Sequence, residues 1–396
     1  DLLTIVVHWP NFGPYHIARL NASYQFLKEL KIRLVGLEIS THQRTYAWEK
    51  THIDRNFEYI SIFQNKHYEE VLKHPLRLAT SIWRTLNVID PDIIAVNGYS
   101  TLDAWLIVFW AKLNTKELIL LSDSKADDYQ RFHAKERIKK FILRHISAAF
   151  CAGEPHKRYL VSLGLKQDNI TMGCDVVDNE FFTSQADVVR KTPDKYRHLP
   201  GLEKPSHQFF LASSRFIPRK NIDGLLRAYL DYWVEMKAKS MNPWRLVILG
   251  DGEQRGLLEQ IISSYQLDDE IILAGLRQID EIPAYYALAS VFIHPAHNDQ
   301  WGLVVNEAMA SGLPVIVSKK CGCAEDLVIE GSNGYLFDPK NKSEITELMI
   351  KISSQNLDLL KMGKISKGII DRWGLNKFAE GLYNASQLVL ESKSLL

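Results

Sequence analysis

The 396-residue chain lacks the features that mark membrane-spanning, secreted and nucleic-acid-binding proteins. Its longest apolar runs are well short of the ~20 residues that a membrane-spanning helix needs. Residues 2–7 are already strand-like and no charged and apolar leader precedes them, so we expect no signal peptide. The formal net charge is only +1, so composition does not indicate nucleic-acid binding. We expect a soluble, cytoplasmic protein that is at most peripherally bound at the inner face of a membrane.

Cysteine is scarce, and its spacing indicates neither a metal site nor a disulfide framework. The four cysteines form no C-x-x-C pair, and the single residue between Cys321 and Cys323 does not fit the usual zinc sites. No G-x-G-x-x-G motif is present, which argues against a nicotinamide cofactor. We therefore expect reduced thiols, no metal and no bound cofactor.

Short apolar runs rich in β-branched residues alternate with longer helical patterns in both halves of the chain. This alternation is typical of parallel sheets covered by helices on both faces. The length suggests two domains. Residues from about 183 to 207 contain Pro193, Pro200 and Pro205 with few apolar residues, which predicts a linker. We predict an α/β fold with an N-terminal domain at 1–185, a linker at 186–206, a C-terminal domain at 207–375 and a final helix at 376–396 that could cross back to the N-terminal domain.

The most informative segment spans residues 294–316 and predicts a strand, a loop and a short helix. The helix is expected to start at Leu303 and to end at Gly312, a typical C-terminal cap. The backbone N–H groups of Gly302, Leu303 and Val304 then point out of the helix N-terminus. That end of a helix favours an anion such as a phosphate.

Two carboxylates flank this predicted anion site. Asp299 lies in the loop before the helix and Glu307 about one turn inside it, so both could accept hydrogen bonds from hydroxyl groups of a sugar and a ribose. The segment resembles the Glu-x7-Glu signature of the large family of retaining GT-B glycosyltransferases, the glycosyl transferases group 1, which includes glycogen and sucrose synthases. The resemblance implies that Glu307 binds the donor ribose and that Asp299 replaces the glutamate that contacts the donor sugar. Aspartate is one methylene shorter, so we expect that contact to be shifted or made through water.

A basic loop follows the predicted strand at residues 209–212. Arg215 and Lys220 are five residues apart there, a spacing at which two cations can clamp a diphosphate, although basic loops are often merely exposed. The family has arginine and lysine at this spacing, which implies that this pair neutralises the leaving diphosphate. Gly275 and Leu276 match a family loop that lines the nucleotide base. The resemblance thus implies a GT-B fold, in which two Rossmann-like domains face each other across a cleft.

Further candidates lie in the N-terminal half. Gly13 follows the first strand and would allow the backbone to approach the donor phosphates. His16 either faces the cleft or caps the next helix. Asp123 ends another strand, where relatives carry a histidine near the acceptor, so it either orients the acceptor or caps a helix or a turn. Asn97 follows a third strand and has the same two interpretations.

One stretch suggests a contact with lipid. Residues 135–145, from Lys135 to His145, carry six basic or histidine side chains among apolar residues at helical spacing. One hypothesis is a basic amphipathic helix that touches anionic lipid. The alternative is a solvated surface helix packed on the sheet.

The resemblance implies transfer of a hexose from a UDP- or GDP-sugar, with retention of configuration, to a saccharide, lipid or other hydroxyl acceptor. The nucleotide sugar is a co-substrate, and neither a metal nor an enzyme nucleophile is implied. Polysaccharide, glycolipid and glycoside synthesis all fit this chemistry. The predicted catalytic residues are Arg215, Lys220, Asp299 and Asp123. Two alternatives stay open: a nucleotide-sugar-binding or regulatory protein that has lost catalysis, which Asp299 supports, and a nucleotide-sugar epimerase of the same shape.

Overall fold

A computed structural model describes residues 2–43, 54–128, 131–204 and 207–394, which divide into two compact units. The first unit holds the described residues of Asp1–Val177 together with Trp373–Leu396, and the second holds those of Asp178–Arg372. Pro205 of the predicted linker lies outside the described residues. Of the helices in the described part, none combines the length and the apolar character needed to cross a bilayer.

The described strands form two sheets. Those of the first unit are β1 Thr4–Trp9, β2 Arg33–His42, β3 Glu58–His67, β4 Ile93–Asn97, β5 Glu117–Ser122, β6 Ala148–Cys151 and β7 Ile170–Met172. Those of the second unit are β8 Phe209–Ser213, β9 Arg245–Leu249, β10 Ile271–Gly275, β11 Val291–His294, β12 Val315–Ser318 and β13 Gly334–Phe337.

The described helices lie between these strands or follow the last of them. They are α1 Pro14–Glu29, α2 Tyr68–Val71, α3 Pro75–Ile89, α4 Leu102–Leu113, α5 His133–Leu143, α6 Glu154–Ser162, α7 Asn179–Lys191, α8 Ile222–Ala238, α9 Arg255–Ser264, α10 Ile282–Leu288, α11 Leu303–Ala310, α12 Ala324–Leu327, α13 Lys342–Ser354, α14 Leu359–Ile370 and α15 Leu375–Ser394. Short 3-10 turns cover Gln167–Asn169, Pro193–Tyr196, Pro218–Lys220 and Asp371–Trp373.

Both sheets are parallel and doubly wound. The first has the strand order β3-β2-β1-β4-β5-β6-β7 and the second has the order β10-β9-β8-β11-β12-β13. In the first sheet the direction of the strand order reverses between β1 and β4, and in the second sheet it reverses between β8 and β11. Open α/β sheets bind ligands at such switch points. The predicted α/β fold with two Rossmann-like units is confirmed.

Burial on both faces explains why the central strands are continuous apolar runs. Val6, Ile94 and Leu120 are fully buried on β1, β4 and β5, as are Val247 and Ile293 in the second sheet. Strand β3 differs because it lies at the edge of its sheet beside β2, and most of its side chains are exposed or half-buried. Its mixed sequence does not show the apolar pattern, so the sequence analysis missed it.

The boundary between the units differs from the predicted one. The stretch expected to begin the linker is the second half of helix α7, which starts at Asn179 with the Asp178 side chain accepting a hydrogen bond from the N–H of Phe181. Arg190 on this helix donates to the carbonyl oxygen of Ala287 in the second unit. The division therefore falls after Val177, and the residues from 186 to 204 belong to the second unit.

Helix α15 belongs to the first unit, although the chain reaches it from the second. Its residue Phe378 is fully buried, with ring centroids 5.1 Å from Phe150 and 6.2 Å from Trp9. Helix α15 thus contributes Phe378 to the first unit's core, beside β1 and β6.

Candidate functional site

Backbone hydrogen bonds join the loops at the carboxyl edge of the second sheet. The N–H of Gly250 donates to the carbonyl of Gly275 at 2.9 Å, and the N–H of Phe216 donates to the carbonyl of Asp251 at 2.8 Å. Gly250 has φ +124°, and a Cβ at this position would lie 1.9 Å from the carbonyl oxygen of Ser214. Only glycine permits this approach, which holds the loops after β8, β9 and β10 together.

The loop after β8 is also joined to the loop after β11. Asn221 has a left-handed conformation, with φ 57°, and its buried side-chain amide donates to the carbonyl of Pro295 at 2.9 Å. The backbone N–H of His297 donates to the carbonyl of Arg219, also at 2.9 Å. These bonds position Lys220, which lies between Arg219 and Asn221, against the segment that carries Asp299.

Lys220, His294 and Asp299 form one cluster. The Lys220 Nζ lies 2.5 Å from Oδ2 of Asp299, and Nε2 of His294 lies 2.7 Å from the same oxygen. His294 is the last residue of β11 and its imidazole is fully buried, whereas the side chains of Lys220 and Asp299 are mostly buried. The structure therefore brings together two residues that the sequence analysis singled out, Lys220 and Asp299, and adds His294.

Electrostatics define the charges in this cluster. Burial by itself would raise the pKa of Asp299, but the Lys220 ammonium and the His294 hydrogen bond hold that pKa well below its usual range. Burial lowers the pKa of His294, although Asp299 opposes this shift. The imidazole is therefore neutral near pH 7, with its proton on Nε2 to donate to the carboxylate. The cluster combines one ammonium, one carboxylate and one neutral ring.

Glu307 is fixed one turn inside α11. The helix begins after Gly302, which has φ 105°, and Leu303 and Val304 form its first turn. Glu307 is buried, and the hydroxyl of Tyr286 donates to its Oε2 at 2.7 Å. Tyr286 on α10 thus orients the carboxylate that the resemblance assigns to ribose binding.

The other predicted residues of the second unit lie at the same sheet edge. Arg215 is half-buried two residues after β8. Gly275 ends β10 with φ 82°, and the side chain of Leu276, which follows it, is exposed. Arg215 shares with Lys220 the loop that follows β8.

The candidates of the first unit lie at or just after the carboxyl ends of β1, β4 and β5, which are neighbours in the sheet. The N–H of Gly13 donates to Nδ1 of His16 at 3.0 Å, so His16 caps α1. Burial, followed by the charge of Arg19, lowers the pKa of His16 to about 3. Asn97 is the last residue of β4 and is half-buried.

Asp123 lies in the loop after β5 and does not cap a helix, because α5 begins only at His133. Burial raises the pKa of Asp123 to about 7, and the nearby carboxylate of Asp175 adds to this effect. Asp175 forms an ion pair with the buried Arg19 at 3.2 Å. A carboxyl group that titrates near neutral pH thus lies at the carboxyl edge of the first sheet.

Three residues of these sites were missed by the sequence analysis: His294, Tyr286 and Asp175. Tyr286 precedes Glu307 by 21 residues on another helix, and no local pattern links the two. His294 ends an apolar strand, where a single polar residue gives no signal of its partner. Only the strand–loop turn at Pro295 could have suggested that His294 and Asp299 face each other.

Residues 199–368 match the family described as glycosyl transferases group 1. This group 1 segment lies within the second unit and contains Arg215, Lys220, Asp299 and Glu307. The contact between Lys220 and Asp299 and the start of α11 therefore lie inside the segment that matches this family.

Two curated relatives illustrate the similarity. A sucrose synthase from Melioribacter roseus is 29% identical over 231 residues, which cover 54% of this chain and 27% of that protein. An alpha-monoglucosyldiacylglycerol synthase from Acholeplasma laidlawii is 31% identical over 154 residues, which cover 39% of this chain and 36% of that protein. The matches to the first four curated relatives span 27% to 49% of their lengths.

A solved structure extends the similarity in fold to the whole chain. HepE of Anabaena, solved in complex with UDP and glucose, superposes with a TM-score of 0.71 at 15% identity, and the match covers 100% of both chains. At this identity the likeness concerns the fold alone.

Proposed function

We propose that this chain is a retaining glycosyltransferase that moves a hexose from a UDP- or GDP-sugar to a hydroxyl acceptor. The observation that carries the proposal is the contact of Lys220 with Asp299 beside the start of α11, inside the group 1 segment. This arrangement offers a cation, a carboxylate and a helix N-terminus to one ligand, which suits a diphosphate joined to a sugar.

The leaving diphosphate is stabilised by positive charge in this proposal. Lys220 and Arg215 supply two cations, and the first turn of α11 adds the partial positive charge of a helix N-terminus. Because Asp299 accepts a hydrogen bond from Lys220, the ammonium is held at the sheet edge. We propose that these groups suffice without a metal ion or another cofactor.

Asp299 acts partly through Lys220. Its Oδ2 accepts from both Lys220 and His294, so this oxygen is committed to positioning the ammonium. A contact with the donor sugar then falls to Oδ1 or to a bridging water. Glu307, oriented by Tyr286, accepts from the ribose hydroxyls and places the nucleotide.

The transfer itself needs no enzyme nucleophile. The bond between the anomeric carbon and the diphosphate oxygen breaks as the acceptor oxygen forms the new glycosidic bond on the same face. The acceptor proton passes to a donor phosphate oxygen. From the family resemblance we propose that Asp123 orients the acceptor hydroxyl and that Gly13 allows the backbone to approach the donor phosphates. His16 caps α1 beside Gly13.

The acceptor is proposed to be a saccharide or a lipid. One relative is named for sucrose and another for a glucosylated diacylglycerol, which supports both classes. A lipid acceptor also suits the contact with anionic lipid proposed for α5, where Ile138 and Phe141 are exposed beside basic side chains.

The alternative is a nucleotide-sugar-binding or regulatory protein that does not transfer. It is favoured by the double engagement of Oδ2 of Asp299, which leaves fewer acceptor positions for the donor sugar. In that case the ribose and diphosphate contacts would persist while turnover would be lost.

Two measurements separate these functions. A thermal-shift series with UDP, GDP, UMP and GMP should show a larger stabilisation by one diphosphate than by its monophosphate. UDP- and GDP-hexoses are then incubated with saccharide and lipid acceptors, and the products are analysed by mass spectrometry and by NMR at the anomeric position. A new glycoside with retained configuration supports the transferase. Tight diphosphate binding without transfer or donor hydrolysis supports the binding protein, and a changed epimer still attached to its nucleotide indicates an epimerase.

A further inference from the structure

Helix α4 exposes a stripe of large apolar side chains. Leu102, Trp105, Phe109 and Leu113 are 39%, 44%, 59% and 59% exposed. Their spacing of three or four residues places them along one side of the helix. The other exposed residue of α4 is Lys112. The outer side of a surface helix is normally polar, so this side has the composition of a buried one.

The inner side of α4 is held firmly against the first unit. Asp103 is fully buried, with its Oδ2 3.0 Å from Nε2 of His8, and its Oδ1 accepts from Tyr68 at 2.6 Å. Trp110 is also buried, and its indole N–H donates to Asn87 on α3 at 2.8 Å. Rotating α4 to hide its apolar stripe would break these bonds, so the stripe faces outward.

Neighbouring helices enlarge this apolar surface. Trp83 on α3 contacts Phe109, with ring centroids 6.3 Å apart, and α3 also exposes Leu76 and Val88. The connections that contain α3, α4 and α5 all step across the sheet in the same direction, from β3 to β4, β4 to β5 and β5 to β6. Right-handed crossovers therefore place these three helices on one face.

Cationic side chains lie on the two helices that share this face of the sheet with α4. Helix α3 carries Arg77 and Arg84 and no acidic residue. On α5, Arg137 and Lys140 are exposed, whereas the acidic Glu136 accepts a hydrogen bond from Lys139. Exposed Arg144 directly follows that helix. The surface thus combines aromatic and aliphatic side chains with cations.

We propose that this surface docks on an anionic lipid bilayer, with Trp105 and Phe109 entering the boundary between headgroups and acyl chains. The cations of α3 and α5 then contact lipid phosphates. A second copy of this chain is a poorer occupant, because a two-fold contact through this face would bring cations of one copy against those of the other. The proposal rests on the lipid contact of α5 in the proposed function and adds the apolar stripe of α4 to it. It does not require transfer activity.

Vesicle flotation of the full chain tests the proposal. Binding is measured with vesicles of phosphatidylcholine and with vesicles that contain about one third phosphatidylglycerol, over a range of salt concentrations. The wild-type chain should bind the anionic vesicles more tightly, and salt should weaken the binding. W105S/F109S should weaken binding about tenfold or more. R137Q/K140Q should weaken it by about 25-fold on anionic vesicles, at about fivefold for each cation.

The matched control is V234S/L257S, which changes two exposed apolar residues on α8 and α9 of the second unit. It should bind vesicles like the wild-type chain. Equal binding by W105S/F109S and wild type overturns the proposal. So does a dimer in sedimentation equilibrium that W105S/F109S abolishes, because a second copy would then cover the stripe. Transfer to a water-soluble acceptor, measured in parallel, shows separately whether the proposed enzyme function holds.

Discussion

The Lys220 ammonium lies 2.5 Å from Oδ2 of Asp299, and this carboxylate is itself held by the neutral ring of His294. The ion pair joins the loop after β8 to the loop before α11, although 79 residues separate the two partners in sequence. A lysine side chain that is held by such a contact loses less conformational entropy on binding an anion than a freely moving one does. Because of this ion pair with Asp299, Lys220 is the first residue to test.

Lys220→Ala should weaken binding of the preferred nucleoside diphosphate about tenfold to 100-fold. Hydrogen bonds to charged groups contribute about 1.5–3 kcal/mol, and the substitution removes one such donor. Titration calorimetry with the diphosphate and with the nucleoside measures the effect, and the nucleoside should bind equally to both proteins. Lys319→Ala, at an exposed position after β12, is the control. Equal losses for the two variants would contradict a specific role of Lys220.

Glu307→Ala should reduce kcat/KM about 100-fold or more, because two hydrogen bonds from ribose hydroxyls would be lost. Tyr286→Phe removes the hydroxyl that orients Glu307 and should give a smaller loss, seen mainly in KM. Steady-state release of the nucleoside diphosphate measures both. Glu259→Ala, exposed on α9, should behave like wild type. Normal turnover by Glu307→Ala would refute the assigned ribose contact.

The stability of the fold should decrease as the pH falls below about 6.5. Burial lowers the pKa of His294, so below the unfolded-state value of about 6.5 the unfolded chain binds a proton that the folded chain does not. His16, whose pKa burial lowers to about 3, contributes in the same direction. Urea unfolding at pH 7.5 and pH 5.5 should show a smaller decrease for His294→Gln than for wild type. His145→Gln changes an exposed ring and serves as the control. If the free energy of unfolding of His294→Gln decreased between pH 7.5 and pH 5.5 as much as that of wild type, the neutral state of His294 would be contradicted.

The rate of sugar transfer should rise with pH around 7 if the ionised Asp123 accepts a hydrogen bond from the hydroxyl group of the acceptor substrate. Burial, with a smaller effect of the Asp175 carboxylate, raises the pKa of Asp123 to about 7. A profile of kcat/KM against pH should therefore show an inflection near that value. Asp123→Asn should remove the inflection, and Asp175→Asn should move it to lower pH. Asp168→Asn, at an exposed position, should leave the profile unchanged.

Gly250→Ala should lower the free energy of unfolding by about 3 kcal/mol or more, because the new Cβ would collide with the Ser214 backbone at a left-handed φ. Diphosphate binding should weaken as well, since the loops after β8 and β9 must separate. Gly256→Ala is the matched control, because a Cβ there meets nothing within 4 Å and α9 gains about 0.5 kcal/mol from alanine. Urea unfolding measures both; equal stability of the two variants would mean that the loops adapt.

Local patterns were sufficient for much of the fold. Central strands such as β4 and β9 each contain four consecutive apolar residues because both faces of the sheet are buried there, so a short apolar run identifies each of them. Helix α11 begins at Leu303 as expected, and Gly312 lies just beyond its end with φ 81°. The spacing of Asp299 and Glu307 was equally visible in the chain.

The sequence by itself therefore determined the parallel α/β fold and the segment that resembles a glycosyltransferase site. Tertiary structure alone decided that His294 and Lys220 share one oxygen of Asp299, that Tyr286 orients Glu307, and that α7 packs on the second unit. It also decided that Trp105 and Phe109 face outward, where composition alone would place them in a core. The physical reason is range: periodicity and caps act over a few neighbouring residues, whereas these contacts depend on how distant strands and helices pack.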